Sequence, residues 1–160
     1  FSRSEEFVEF AFRAMIAPPM ITRYRPGMKY GAHADAAFIQ LPGGSLRSDL
    51  SCTVFLNDPK SYEGGELNIR LGDSNLKFKL PAGEAIIYPS TTLHEVVPVR
   101  SGARLVSITF IESYIADEHQ RSQVYELNEI AALEGNTMKW ESRVRLDVVR
   151  QNLMRMWSET

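Results

Sequence analysis

The central part of the chain alternates short apolar runs with turn residues. Residues 64–70 and 76–80 carry apolar side chains at every second position, as half-buried strands do, and residues 71–75 between them have the composition of a hairpin turn. Further short apolar runs, each bounded by Gly, Pro, Asn or Asp, continue to the long run at 104–113. Strands this short and this regularly spaced predict a sandwich or barrel built mainly from antiparallel pairs.

Both ends of the chain have helical periodicity instead. Residues 4–15 place apolar side chains near helical spacing, and Pro18 would end such a helix. Residues 117–134 and 138–157 each carry an apolar stripe, and Gly135 stands between them. We therefore predict a single domain over residues 1–160, with an N-terminal helix within 1–16, a β core over 18–113 and C-terminal helices within 117–157.

Composition narrows the possible partners. The 160 residues are 44% hydrophobic and 24% charged with a net charge of −2, which is ordinary for one globular domain. No basic patch indicates nucleic-acid binding, and no apolar run approaches the roughly 18–20 residues that span a membrane. The one cysteine, Cys52, cannot form an internal disulfide, which favours a cytoplasmic location. The chain starts at Phe1 within a predicted helix, so we expect further residues to precede it.

The stretch 30-YGAHADAA-37 holds a candidate metal-binding pair. In an extended segment side chains two positions apart point the same way, so His33 and Asp35 can reach one point. His94 opens a later strand and can supply a third ligand. Two imidazoles and one carboxylate are the facial triad of non-haem Fe(II) oxygenases, which leaves positions open for a co-substrate and O2. The His-x-Asp pattern by itself is weak, and polar residues of a turn or surface are its more common explanation.

Arg104 is the next candidate. It begins the apolar run 104–113, where an unpaired charge would be costly. A hairpin turning over residues 99–103 would bring its guanidinium alongside His94, where it can hold a carboxylate by two parallel hydrogen bonds. The alternative is a surface arginine at a strand edge.

Several long stretches around these residues resemble the Fe(II)/2-oxoglutarate-dependent dioxygenases, and more narrowly the PKHD-type hydroxylases, bacterial relatives of the prolyl hydroxylases. The stretches are 23-RYRPGMKYGAHADAA-37, 47-RSDLSCTVFLNDPKSYEGGEL-67 and 80-LPAGEAIIYPSTTLHEVVPVRSGARLVSITFIES-113, and the likeness continues to 155-RMWSET-160. Their order and spacing carry the resemblance. Members of the family usually have Trp where this chain has Phe110.

This resemblance implies a mainly β fold, a double-stranded β-helix (jelly roll) with flanking α-helices. It implies His33, Asp35 and His94 as the Fe(II) ligands. It also implies Arg104 as the residue that binds the distal carboxylate of 2-oxoglutarate, with Tyr24 donating to the same carboxylate. The implied reaction hydroxylates a C–H bond with O2 and converts 2-oxoglutarate to succinate and CO2. Ascorbate is a candidate reductant, and no catalytic residue is needed beyond the metal centre.

The acceptor and the rival functions remain open at this point. Family analogy points to a protein or peptide substrate, with proline as the hydroxylated residue, and a small molecule is the alternative. We predict that the Gly-rich segment 37–49 is a substrate-recognition loop, because long loops beside a site often contact substrate. The rivals are a non-catalytic jelly-roll module that binds a metal or ligand, and a cupin-type enzyme. The intact set of candidate residues disfavours the former, and the absence of a His-x-His motif disfavours the latter.

Other polar and small residues have simpler explanations. Gly64 and Gly65 indicate a turn into a strand. Arg47 and Asp49 can form a salt bridge or face the substrate opening. His119 has the surroundings of a solvated surface residue on a helix, and Cys52 those of a small buried hydrophobic residue.

Overall fold

The computed structural model describes residue 7 and residues 10–159. Two compact units are distinguished within the chain. One is Met15–Ile111, which contains most of the β structure. The other combines Phe1–Ala14 with Glu112–Thr160 and contains the two C-terminal helices.

The β structure consists of short antiparallel strands. They are β1 (Arg13–Ile16), β2 (Met20–Tyr24), β3 (Tyr30–His33), β4 (Phe38–Leu41), β5 (Gly44–Arg47), β6 (Leu50–Phe55), β7 (Tyr62–Gly64), β8 (Leu67–Leu71), β9 (Ser74–Phe78), β10 (Ala85–Pro89), β11 (His94–Val96), β12 (Val99–Gly102) and β13 (Arg104–Ser113). A five-stranded sheet has the order β1-β13-β6-β10, with β2 also paired to β13, and a four-stranded sheet has the order β3-β11-β8-β9. The pairs β12-β7 and β4-β5 complete the described sheets.

One apolar core joins the two larger sheets. Successive side chains of a strand point to opposite faces, so a strand beside this core turns only one of its two faces toward it. The buried members are Tyr24, Phe55, Leu67, Ile69, Tyr88, Val96, Val99 and Val106. Val99 lies on β12 and the others come from the two larger sheets, which is the arrangement of a sandwich. The predicted jelly roll, mainly β with helices at the C-terminus, is confirmed.

The predicted N-terminal helix is wrong at its C-terminal end. Residues 1–6, 8 and 9 lie outside the described residues, while Phe7, Phe10 and Ala11 are helical. Phe12 then takes a left-handed φ of 42°, and Arg13–Ile16 forms β1 instead of continuing the helix. The carbonyl of Phe12 accepts a hydrogen bond from the amide of Tyr114 at 2.7 Å, so long-range backbone pairing overrides the local helical pattern.

Residues 37–49 form a hairpin, so the prediction of a long loop is wrong. Strands β4 and β5 pair from Phe38 opposite Arg47 to Leu41 opposite Gly44, which leaves a two-residue turn. Leu46 is fully buried and packs in a cluster with Ala17 and Phe110. This burial gives the segment a fixed register that its Gly-rich composition conceals.

A salt bridge fastens the end of this hairpin. Arg47 donates from Nε and Nη2 to the two carboxylate oxygens of Asp49, at 2.8 and 3.1 Å. The salt bridge that the sequence offered as one alternative is therefore present.

Gly64 and Gly65 have the structural role that the sequence indicates. Both take a left-handed φ, of 73° and 67°. A Cβ on Gly64 would lie 2.1 Å from the carbonyl oxygen of Pro98, and a Cβ on Gly65 would lie 3.2 Å from Cδ of Arg104. The absence of side chains lets Gly64 pack against the backbone of Pro98 and Gly65 pack against the stem of Arg104.

The C-terminal helices α1 (Glu118–Glu134) and α2 (Trp140–Trp157) agree with the predicted ranges. Asp117 caps α1 by accepting from the amide of Gln120 at 2.8 Å. Arg150 of α2 donates to Asn128 of α1 at 2.8 Å, which links the two helices. His119 is exposed on α1, as predicted. In the described part of the chain, no helix combines the length and the apolarity that a membrane crossing requires.

Candidate active site

His33 and His94 face each other across two paired strands. His33 is the last residue of β3, His94 is the first residue of β11, and the antiparallel register sets them directly opposite. Their ring centroids are 4.3 Å apart with an interplanar angle of 50°. Sheet pairing thus joins two histidines that are distant in the sequence.

Asp35 completes the group two residues after His33. Its Oδ1 lies 3.6 Å from Nε2 of His33, and its Oδ2 lies 3.6 Å from Nε2 of His94. The three ligand atoms all lie within 4.8 Å of one another. The exposed fraction of the side chain falls from 28% for His33 to 13% for Asp35 and 6% for His94. The structure therefore brings the three predicted ligands together, with His94 the deepest.

Backbone hydrogen bonds fix which nitrogen of each histidine can bind a metal. Nδ1 of His33 lies 2.8 Å from the carbonyl oxygen of Gly31, and Nδ1 of His94 lies 2.9 Å from that of Thr92. A carbonyl only accepts, so each Nδ1 carries a proton, and Nε2 is the nitrogen left to bind a metal beside Asp35. Two imidazoles and one carboxylate fit a ferrous ion.

Arg104 lines a cavity together with the three candidate ligands, and part of its guanidinium has no hydrogen-bond partner. It is the first residue of β13, stands opposite Tyr24 of β2, and is 1% exposed. Its Nε and Nη1 are buried and have no hydrogen-bond partner. Burial lowers its pKa, yet an arginine stays charged at neutral pH. A buried charge without a partner is strongly unfavourable, so this environment fits the carboxylate of a ligand.

The structure corrects the reason given for the position of Arg104. No hairpin joins β11 to β13, because β12 (Val99–Gly102) intervenes and pairs with β7. His94 belongs to the four-stranded sheet, while Arg104 belongs to the five-stranded sheet. The two side chains instead line the same cavity from opposite sheets.

Three tyrosines surround the guanidinium. Its carbon lies 5.0 Å from the ring centroid of Tyr24, and the charge of Arg104 is also felt at Tyr62 and Tyr88. Burial raises the pKa of all three hydroxyls, so they are neutral donors at physiological pH. The hydroxyl of Tyr62 is buried without a hydrogen-bond partner. The sequence predicted Tyr24 and missed the other two.

The cavity at this site has a volume of about 330 Å³, and Tyr62 does not line it. The three candidate ligands, Arg104 and Tyr24 line it. Met20, Met28 and Tyr30 also line it, and each is about half exposed, which places them at the opening. The ring of Tyr30 is 4.3 Å from that of His33, so the opening adjoins the candidate metal site. The residue at the position of the family tryptophan, Phe110, is part of the cavity wall.

A family model described as the 2OG-Fe(II) oxygenase superfamily matches residues 19–112, more than half of the chain. The chain belongs to this superfamily. Its candidate ligands, Arg104 and the cavity all lie within or border on the matched range.

Curated relatives of this chain are named PKHD-type hydroxylases. One from Sphingopyxis alaskensis is 57% identical over 155 residues, which cover 97% of this chain and 71% of that protein. One from Xylella fastidiosa is 44% identical over 150 residues, which cover 89% of this chain and 65% of that protein. The chain thus spans about two thirds of the length of these relatives.

A solved structure supports the fold. The crystal structure of a Pseudomonas putida prolyl-4-hydroxylase matches with a TM-score of 0.52 and 23% identity, over 65% of this chain and 56% of that chain. This likeness agrees with the jelly roll that the two sheets of the oxygenase domain form.

Proposed function

We propose that this chain is the catalytic domain of an Fe(II)- and 2-oxoglutarate-dependent hydroxylase. One observation carries the proposal: a metal-binding trio and a partly unpaired, buried guanidinium line a single cavity. A metal-binding module without a co-substrate would have no use for the buried charge of Arg104. The trio and the guanidinium together match a dicarboxylic acid that also chelates a metal.

The side chains divide the binding between them. His33, Asp35 and His94 would hold the ferrous ion, and Arg104 would bind the distal carboxylate of 2-oxoglutarate through charge-assisted hydrogen bonds. Tyr24, which lines the cavity beside the guanidinium, would donate to the same carboxylate. When bound, the iron supplies the oxidative chemistry, in which O2 oxidises 2-oxoglutarate to succinate and CO2 and one oxygen atom enters a C–H bond.

The protein positions the reacting groups and excludes water from the cavity around them. Leu67, Val96 and Ile108 form apolar parts of the cavity wall and exclude water from the reacting groups. The reaction as written requires no protein acid or base, so the candidate catalytic residues are the metal ligands themselves.

The acceptor would enter past Met20, Met28 and Tyr30, whose exposed apolar surfaces border the cavity. We propose a peptidyl residue as the acceptor, with proline the first to test, on the basis of the resemblance to the prolyl hydroxylases. A small molecule is the alternative. Ascorbate as reductant and a cytoplasmic location are further parts of this proposal.

Turnover of 2-oxoglutarate tests the proposal. The protein is supplied with Fe(II), ascorbate, O2 and 2-oxoglutarate, with and without proline-containing peptides, and succinate is measured by mass spectrometry. We expect succinate from the wild type and from His119→Ala, whose histidine lies outside the site, and none above background from His33→Ala. Tight binding of Fe(II) and 2-oxoglutarate without any succinate would overturn the proposal in favour of a non-catalytic binding module.

A further inference from the structure

Three buried serines form a hydrogen-bonded chain behind Asp35. Ser48, Ser51 and Ser90 are 7%, 1% and 2% exposed. Oγ of Ser48 lies 2.8 Å from Oγ of Ser90, which lies 2.7 Å from Oγ of Ser51, which lies 2.5 Å from Oδ2 of Asp35. This series of hydrogen bonds begins at Ser48, directly after the β4–β5 hairpin, and ends on the candidate metal ligand Asp35.

The direction of the three hydrogen bonds is determined. An ionised carboxylate only accepts, so Ser51 gives its one proton to Asp35. The bond between Ser51 and Ser90 must then be donated by Ser90, and Ser48 must donate to Ser90. All three hydroxyls therefore point toward the carboxylate, and such chains strengthen each bond by polarisation.

The backbone holds the same groups in place. The carbonyl of Ser90 accepts from the amide of Asp35 at 3.0 Å, and the amide of Ser90 donates to the carbonyl of Asp49 at 3.1 Å. Ser51 lies within β6, between its partners β13 and β10. Asp35 follows the end of β3 and is not itself part of a strand. The serines therefore connect this candidate metal ligand to β6, in the interior of the five-stranded sheet.

We propose that Ser51, supported by Ser90 and Ser48, is a positioning residue that sets the rotation of the Asp35 carboxylate for metal binding. The torsion that turns a carboxylate is intrinsically loose, so an external donor is needed to fix it. Donors behind a metal ligand typically contribute 10- to 100-fold to metal affinity. This inference rests on the proposed function, because it requires His33, Asp35 and His94 to bind the metal.

Binding of Co(II) in place of Fe(II) tests the inference without relying on turnover. Affinity and the visible d–d spectrum at saturation are measured for the wild type, for Ser51→Ala, Ser90→Ala and Ser48→Ala, and for His94→Ala. Thr109→Val is the matched control, because the Thr109 hydroxyl is equally buried but donates to the carbonyl of Ala17. Thermal unfolding of each variant reports the structural cost separately.

We expect Ser51→Ala to weaken Co(II) binding roughly 10- to 100-fold and to change the saturated spectrum. Ser90→Ala should have a smaller effect, Ser48→Ala the smallest, and Thr109→Val none, although all four variants lose a buried hydrogen bond. Unchanged affinity in Ser51→Ala, or equal losses in all four variants, would overturn the inference. Absence of wild-type binding, or equal binding by His94→Ala, would overturn the metal site itself and this inference with it.

Discussion

Arg104 and Tyr24 stand directly opposite each other on β13 and β2, with the guanidinium carbon 5.0 Å from the centre of the tyrosine ring. An aromatic face stabilises a cation only in part, and two nitrogens of Arg104 have no hydrogen-bond partner. The positive charge of Arg104 is therefore only partly compensated in the free protein, and an anionic ligand would compensate it.

Replacement of this charge should have opposite effects on stability and on ligand binding. Arg104→Met should leave the free energy of unfolding unchanged or raise it by about 1–4 kcal/mol, because an apolar side chain suits a buried site better than an unpaired charge. Affinity for 2-oxoglutarate should fall about 100-fold or more, since each lost charge-assisted hydrogen bond contributes about 1.5–3 kcal/mol. Urea unfolding and calorimetric titration measure the two effects.

Arg70→Met is the matched control for this variant, because Arg70 is an exposed arginine on β8. Arg70→Met should change neither the free energy of unfolding nor the free energy of 2-oxoglutarate binding by more than about 0.5 kcal/mol. Unaltered binding of 2-oxoglutarate by Arg104→Met would show that the guanidinium does not bind this ligand.

Tyr24→Phe should weaken 2-oxoglutarate binding several-fold with little change in stability. Tyr24 lines the cavity with its ring centroid 5.0 Å from the guanidinium carbon of Arg104, and removal of the hydroxyl leaves this packing in place. In the complex the same change removes a donor from the carboxylate. A loss of thermal stability with normal ligand affinity would contradict this role; Tyr114→Phe, an exposed tyrosine of the helical unit, is the control.

Gly65→Ala should disturb the site through crowding. Its Cβ would lie 3.0 Å from Cγ2 of Val99 and 3.2 Å from Cδ of Arg104. Gly72→Ala separates this effect from backbone strain, because Gly72 has a similar φ of 58° with no atom within 4 Å of the new Cβ. Strain alone costs about 1–2 kcal/mol, and crowding adds about 1–3 kcal/mol.

The comparison uses chemical denaturation and 2-oxoglutarate titration of both variants. Gly65→Ala should lose more stability than Gly72→Ala and should also bind 2-oxoglutarate more weakly. Equal effects of the two substitutions would mean that the packing of Gly65 against Arg104 is unimportant.

Cys52 should resist thiol reagents in the folded protein. It is fully buried, and burial raises the pKa of its thiol from 9.0 to about 12. A thiol whose pKa is raised by folding stabilises the protein below pH 9, and this contribution is lost as the pH rises from 9 to 12. Labelling at pH 8 should follow the unfolding transition in urea, and rapid labelling in native buffer would contradict the burial.

The fold and part of the site could be predicted from local patterns. Alternation of apolar residues located most strands, and the His-x-Asp spacing correctly set His33 and Asp35 toward one point. The convergence of His94 depends on the pairing of β3 with β11, which a local pattern cannot specify. The family resemblance supplied it instead.

Other features depended on tertiary contacts that the sequence did not reveal. Arg104 lines the cavity with the candidate metal ligands, but the hairpin expected to bring it there is absent, because β12 pairs with β7. Its role in binding 2-oxoglutarate stays a prediction. Ser51 was missed, although alternation along β6 sets it on the face of Thr53 and Phe55, which line or adjoin the cavity. A polar residue on the inward face of an apolar strand was the signal that could have identified it.

The most direct test of this account is anaerobic titration of the Fe(II)-loaded protein with 2-oxoglutarate, followed by visible absorption. A keto acid that chelates ferrous iron produces a weak charge-transfer band. We predict a saturable band at one equivalent in the wild type and in His119→Ala, a much higher midpoint concentration in Arg104→Met, and no band in His94→Ala. A band of normal strength and midpoint in both His94→Ala and Arg104→Met would contradict the account, because iron and 2-oxoglutarate would then bind without the residues that define the cavity.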